Sequence, residues 1–209
     1  MHLTVFKEDP MPTENPFRLA LAIVIMLTIA VVAYHRIQAA SSKETISRKE
    51  EGYLFAIALR LSGLALFVIT FTFLIAPQSV QWAMFPLPRP IRSIGFVTGL
   101  LSSLLMYWTL SSLGKNLTDT VVVRKAATLV THGPYRWVRH PFYVTTGLVM
   151  FSVTLLTANW LIGLASLFVL SMLIYRTSRE EQKLVERFGQ EYVDYMARTN
   201  RFLPRIPIK

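Results

Sequence analysis

Long apolar blocks separated by short polar and basic segments run the length of this chain. A helix that crosses a bilayer needs about 20 mostly apolar residues, because the hydrocarbon core is roughly 30 Å thick and a helix rises about 1.5 Å per residue. Phe17 to Tyr34 is the first such block. Tyr53 to Ala76 is the second, with Arg60 near one end, where its long stem can snorkel. Ser93 to Gly114 is the third and holds no charge. Pro141 to Tyr175 is uncharged throughout. One straight helix of that length would measure about 52 Å, too long for one crossing. The sequence Thr157–Ala158–Asn159–Trp160 divides it and predicts a tight hairpin of helices four and five. Each arm is slightly short, so its polar end is expected to continue as helix beyond the membrane, with Gly189 ending that continuation as a C-cap. The expected fold class is all-α, a polytopic membrane bundle of five transmembrane helices in one domain, 1–209. Helices one to three occupy 1–112, and 113–206 form a second part with the hairpin and a helical C-terminal region.

Composition supports the membrane reading. Hydrophobic residues make up 53% of the chain and charged residues 16%, well below the roughly 25% charge usual in soluble domains. The formal charge of +10 could suggest nucleic acid, so its placement decides. Arg36, Lys43, Arg48 and Lys49 lie between helices one and two. Lys115, Arg124, Lys125, Arg136 and Arg139 lie between three and four, and a further series runs from Arg176 to Lys209. The tail before Phe17 mixes Lys7 with Glu8, Asp9 and Glu14, and the stiff loop Pro77 to Pro90 carries Arg89 alone. Cytoplasmic flanks carry the excess of Lys and Arg. The pattern predicts the N-terminus outside and the C-terminus in the cytoplasm, with charge spread along the flanks of spans and no nucleic-acid patch. The first block lacks a strongly positive leader and exceeds the usual apolar core of a signal peptide, so it is expected to be a permanent helix. The chain has no cysteine, which excludes disulfides, thiolate metal sites, cysteine nucleophiles and iron–sulfur clusters.

Two basic-side segments are more than connectors. In Leu129-Val-Thr-His-Gly-Pro-Tyr-Arg-Trp-Val-Arg-His-Pro-Phe-Tyr143, Gly133–Pro134 marks a turn. Pro141 stands where helix four should start, a position proline favours because its missing N–H would be an orphan anyway. First-turn N–H groups would then face back toward Arg139 and His140, an arrangement suited to a carboxylate or phosphate. The same residues also suit an interfacial belt that anchors the helix at the headgroups. In Arg176-Thr-Ser-Arg-Glu-Glu181, Arg176 and Glu180 are four apart and share a face, where they can pair. The plain alternative is a solvated helix laced with surface ion pairs. The hairpin makes the two segments neighbours. Together they offer an anion site, two carboxylates and aromatic walls, a set that suits a zwitterion with a flat ring.

At these residues the chain resembles the isoprenylcysteine carboxyl methyltransferase family and its relatives, the membrane phospholipid methyltransferases. The matching features are Leu113–Gly114–Lys115–Asn116, Leu129-Val-Thr-His-Gly-Pro-Tyr135 and Arg139-His-Pro-Phe-Tyr143. They continue with Arg176, Glu180–Glu181, Leu184, Phe188-Gly-Gln-Glu-Tyr192, Tyr195, Arg198 and Leu203–Pro204. One departure is Thr145, where the family usually has glycine; here the glycine comes at Gly147. The resemblance implies S-adenosylmethionine as methyl donor and no metal. It places the donor's amino-acid part near Arg139–His140–Pro141 and the Glu180–Glu181 pair. The carboxylate is matched to the turn and the ammonium to Glu180 or Glu181. Leu129, Val130, Tyr135 and Tyr143 are matched to the adenine lining, Gly133 to the cofactor-binding segment, and Arg176 or Arg139 to positioning of an anionic nucleophile.

The expectation is an integral membrane enzyme with a cytoplasm-facing donor site and lipid-side access for a lipophilic or prenylated acceptor. A prenylated cysteine carboxylate is the family's namesake. A membrane reductase using a nicotinamide cofactor and a non-catalytic membrane protein that binds a ligand are the rival readings.

Overall fold

The apolar blocks form helices whose ends follow local chemistry. A computed structural model describes residues 15–40, 53–114 and 128–205. The elements are α1 (Asn15–Ala40), α2 (Tyr53–Ile75), a 3-10 turn (Pro77–Ala83) and α3 (Arg89–Leu113). A second 3-10 turn (Gly133–Arg136), α4 (Pro141–Thr157), α5 (Trp160–Phe188) and α6 (Gln190–Arg198) follow. The flank charges Lys43, Arg48, Lys49, Lys115, Arg124 and Lys125, the motif residue Asn116 and both chain ends lie outside the described residues. α1, α2, α3 and α5 are long and apolar enough to cross a membrane, and α4 is apolar but has 17 residues. Large apolar side chains such as Met26, Leu64, Phe67 and Leu104 cover the outside of the bundle, as a hydrocarbon solvent allows. The chain is an integral membrane protein with an all-α fold.

The hairpin breaks where the sequence predicts. α4 stops at Thr157, and Ala158 adopts a left-handed conformation with φ 45°. Asn159 then caps α5. Its Oδ1 accepts from the Ile162 N–H at 3.1 Å, and its Nδ2 donates to the Val80 carbonyl at 3.0 Å. Phe85 N–H also reaches the Ala158 carbonyl at 2.9 Å. One buried amide therefore satisfies a helix terminus and ties the hairpin to the 3-10 turn after α2.

α3 is the centre of the bundle, packed on α1 and α4. Gly95 and Gly99 allow that approach. A Cβ at Gly95 would lie 2.8 Å from Leu155 Cβ, and one at Gly99 would lie 2.6 Å from Val24 Cγ2. This is the small-xxx-small seam of membrane helices, where van der Waals contact and interhelical hydrogen bonds replace a hydrophobic driving force. Ser152 Oγ on α4 donates to the Gly95 carbonyl at 2.6 Å, and Thr28 Oγ1 meets Ser103 Oγ at 3.1 Å. Phe17, Leu21, Val24, Phe73, Val153, Leu156 and Ile162 fill the core beside the hairpin.

The third span is not free of charge. It starts at Arg89, four residues before Ser93, and so includes Arg92. Arg92 is buried yet tolerated, because it caps another helix. Its Nε and Nη2 donate to the Leu156 carbonyl at 3.1 and 2.6 Å, and its guanidinium lies 3.9 Å from the Phe17 ring centroid. Carbonyls at a helix C-terminus lack intrahelical donors and carry partial negative charge, so a guanidinium suits them. Arg18 does the same for the Leu74 carbonyl near the end of α2, donating from both Nε and Nη2.

Candidate active site

The segment before α4 is locked to α3. Gly133 has φ 59°, a left-handed conformation that favours glycine. A Cβ there would also collide with Ser112 Oγ of α3. Trp137 meets Trp108 edge-on at 5.3 Å, and the Arg136 guanidinium covers the Trp137 ring at 4.2 Å. Pro141 opens α4 as expected, and the His140 carbonyl takes the Tyr143 and Val144 N–H groups at 3.1 and 3.2 Å.

The C-terminal segment closes over this turn. Val138 bridges to Asn200 in parallel. Arg139 N–H donates to the Asn200 carbonyl at 2.8 Å, and His140 N–H donates to the Arg201 carbonyl at 3.0 Å. Tyr195 Oη donates to the Tyr135 carbonyl at 2.5 Å. Burial pushes the Tyr195 phenol up to about 12, with Arg139 opposing. Burial, then the Glu180 and Tyr195 charges, raise the Tyr135 phenol well above its ordinary value. Both therefore stay protonated at neutral pH and act as neutral hydrogen-bonding groups.

Glu181 is the hub. It lies on the polar extension of α5, beyond the apolar stretch that ends near Tyr175, and is almost fully buried. Its Oε1 accepts from Arg139 Nε at 2.9 Å and meets His140 Nε2 at 3.2 Å. Its Oε2 accepts from Arg201 Nε at 2.8 Å and Nη2 at 2.5 Å. Arg139 Nη1 also donates to the Met196 carbonyl at 3.2 Å and to the Thr199 carbonyl. The anion that meets the Arg139–His140 turn is thus the chain's own carboxylate. Burial alone would raise the Glu181 carboxyl, but hydrogen bonds from His140, Arg201 and Arg139 overturn that and hold it near 2.

Glu180 has a different environment. It is half-buried and its Oε2 accepts the Tyr143 hydroxyl at 2.6 Å. The Tyr143 ring stacks on His140 with centroids 5.5 Å apart. The hairpin therefore brings Arg139, His140, Pro141, Tyr143, Glu180 and Glu181 together as expected. Leu129 and Val130 are half-buried on the approach to Gly133, and Arg176 sits one helical turn before Glu180. Thr145, where the family usually has glycine, is buried against α3, its hydroxyl 3.4 Å from Met106 Sδ. Reading the sequence did not single out Arg201 or Thr199. Arg201 looks there like one more flank charge.

Residues 94–186 match the isoprenylcysteine carboxyl methyltransferase (ICMT) family. The ICMT match takes in the α4 turn, Arg176, Glu180 and Glu181, and ends before α6. Protein-S-isoprenylcysteine O-methyltransferase of Mus musculus is 36% identical over 96 residues, 44% of this chain and 34% of that protein. A nickel-cobalt-cadmium resistance protein of Alcaligenes xylosoxydans xylosoxydans is 34% identical over 87 residues, 41% of this chain and 40% of that one. The chain thus spans about a third of the length of the isoprenylcysteine methyltransferase it matches. The fold also resembles the solved eukaryotic intramembrane Ras methyltransferase ICMT, with TM-score 0.50 and 24% identity, covering 90% of this chain and 68% of that one.

Proposed function

We propose that this chain is a membrane methyltransferase that moves a methyl group from S-adenosylmethionine to a carboxylate on a lipophilic acceptor. The carboxylate of a prenylated cysteine is the first candidate. The observation that carries this reading is the meeting of the start of α4 with the polar end of α5 inside the ICMT-matching segment. There, carboxylates, guanidiniums and aromatic rings meet at the edge of the apolar bundle.

The residues fit such a donor. A carboxylate offers about four lone-pair sites, and Tyr143 uses one on Glu180, so Glu180 suits the ammonium better than the enclosed Glu181. The donor's carboxylate is not assigned to the His140–Pro141 turn, whose Arg139 and His140 N–H groups go to tail carbonyls and whose Tyr143 and Val144 N–H groups go to the His140 carbonyl. Leu129, Val130, Gly133 and Tyr135 form the segment that would line the adenine. S-adenosylmethionine supplies an electrophilic methyl on a sulfonium. A carboxylate nucleophile needs no base, so the protein's task is alignment and exclusion of water. The Nε and Nη1 of Arg139 are committed to Glu181 and to tail carbonyls, which makes Arg176 the better candidate for gripping the acceptor.

The test is ligand stabilisation of the purified protein. S-adenosylhomocysteine at 100 times its Kd should stabilise by about 2.7 kcal/mol, a rise in Tm of roughly 5–10 °C. Stabilisation by a reduced nicotinamide cofactor instead would favour the reductase reading, and by neither the non-catalytic one.

The proposal includes five spans, with α4 and α5 as a re-crossing hairpin and the site in the cytoplasm. Reporters at Gln81 and after Lys209 should report the far side and the cytoplasm respectively. A cytoplasmic signal at Gln81 would overturn this topology.

A further inference from the structure

The segment after α6 lies beyond the ICMT match, yet it completes the hub at Glu181. Glu181 has one inner and one outer oxygen. The inner one faces Arg139 and His140, whose side chains are almost fully enclosed. The outer one accepts from Arg201 Nε and Nη2, and the Arg201 side chain is 43% exposed. The same residue's carbonyl holds the His140 N–H, and the next residue, Phe202, places its ring 5.9 Å from the His140 ring. Arg201 therefore grips both sides of the turn that opens α4: the His140 backbone directly, and the Arg139 and His140 side chains through Glu181.

From this geometry we infer that Arg201 is a positioning residue for the donor site, fastening the C-terminal segment as a strap that sets the orientation of His140 and Glu181. The inference rests on the methyltransferase reading for its ligand. Arg201 itself touches neither substrate nor donor in this role. Removing its side chain leaves Glu181 bound to Arg139 and His140 but breaks the link from Glu181 to the strap, which keeps its backbone bonds, the Arg139–Thr199 bond and the Phe202 ring contact. The turn then samples orientations that do not match the donor, so donor affinity falls while acceptor binding, assigned to Arg176, is spared.

The test uses the full-length protein, titrated with S-adenosylhomocysteine by calorimetry and assayed with labelled donor and a farnesylated cysteine. Arg201→Ala is expected to raise both the Kd for S-adenosylhomocysteine and the donor KM roughly 10-fold or more, because affinity falls by the fraction of time the turn spends in the donor-binding orientation, about a tenth or less once the strap is loosened. The acceptor KM should stay at the wild-type value and the melting temperature within a few degrees of it. Arg201→Lys should restore most of the affinity, because both donating nitrogens of Arg201 reach the same oxygen, and a single ammonium can serve one oxygen. Arg205→Ala removes an equal charge from the same tail, where Nη1 donates to the Ala197 carbonyl, and should bind like wild type. Wild-type donor affinity in Arg201→Ala overturns the inference. So does a loss shared equally by donor and acceptor that lysine does not rescue. Wild-type protein that binds no S-adenosylhomocysteine would overturn the methyltransferase reading instead. The strap is then still read by hydrogen exchange at the Arg139 and His140 amides, which should quicken in Arg201→Ala and not in Arg205→Ala.

Discussion

Glu181→Gln is expected to destabilise the protein by about 3–5 kcal/mol, the usual effect of removing one partner from a buried ion pair. The glutamine has nearly the same shape, so packing is not the cause. Charge is. Arg139 has a side chain only 8% exposed, and Glu181 is the acid that faces it. With the carboxylate gone, a guanidinium remains enclosed beside His140 and backbone carbonyls. Two long-range connections loosen together, because Glu181 joins the start of α4 to the tail that carries Arg201. Thermal denaturation of the purified protein should show the change as a fall in Tm of roughly 6–20 °C. The wild-type protein should also show a characteristic pH response. The folded Glu181 carboxyl sits near 2, below its ordinary 4.5. A depressed acid contributes stability that is fully present above the unfolded value and is lost as pH falls through the folded one. The Glu181 contribution is therefore constant from pH 5 to 8 and declines only between about 4.5 and 2. The glutamine variant should lack that acid-side decline. A variant that melts with wild type at neutral pH would remove Glu181 from the centre of this structure.

The parts of this fold that were legible in the sequence are those governed by neighbours along the chain. Thr157 to Trp160 reads as a break because an unbroken helix would be too long, and Asn159 supplies the cap. Pro141 and Gly189 mark helix ends through their own backbones. The juxtaposition of Arg139–His140 with Glu180–Glu181 follows from the hairpin alone. Features set by distant partners were not legible. Arg92 is tolerated in α3 because of the Leu156 carbonyl at the end of α4, and nothing local to Arg92 signals it. Gly95 and Gly99 have the spacing of a packing seam, but only the approach of Val24 and Leu155 distinguishes them from other glycines. The Arg139–His140 turn reads as a site for a ligand's anion at free N–H groups of α4, whereas its N–H groups bind backbone carbonyls and its side chains hold an internal carboxylate. That its anion is Glu181 depends on rotamers and on a tail whose arginine resembles every other basic residue on that flank.

Arg176→Lys is expected to lower methyl transfer to an anionic acceptor by roughly 10- to 150-fold in kcat/KM, while the affinity for S-adenosylhomocysteine stays at its wild-type value. The position of the residue supports this. Arg176 follows directly on the apolar part of α5, where a charge lies at the boundary between lipid and water. Ionisable groups at that depth are paired or functional. One turn further on, Glu180 shares its face and already accepts the Tyr143 hydroxyl. If Arg176 only supported Glu180, lysine would serve, because it keeps the charge and the reach. The result would be near-normal turnover with a small loss of stability. If Arg176 grips a carboxylate, lysine fails, because an ammonium is a point charge and cannot reproduce the planar fork that meets two oxygens at once. The acceptor then sits loosely beside the methyl, and an in-line displacement is sensitive to displacements of about 1 Å. Arg176→Ala should lose more than the lysine variant, again with donor binding intact. The donor measurement separates this from the effect at Arg201, where donor affinity falls and the acceptor KM holds. Near-normal methyl transfer to a farnesylated cysteine by Arg176→Lys would leave Arg176 a support for Glu180, and the acceptor's carboxylate would have to be held elsewhere.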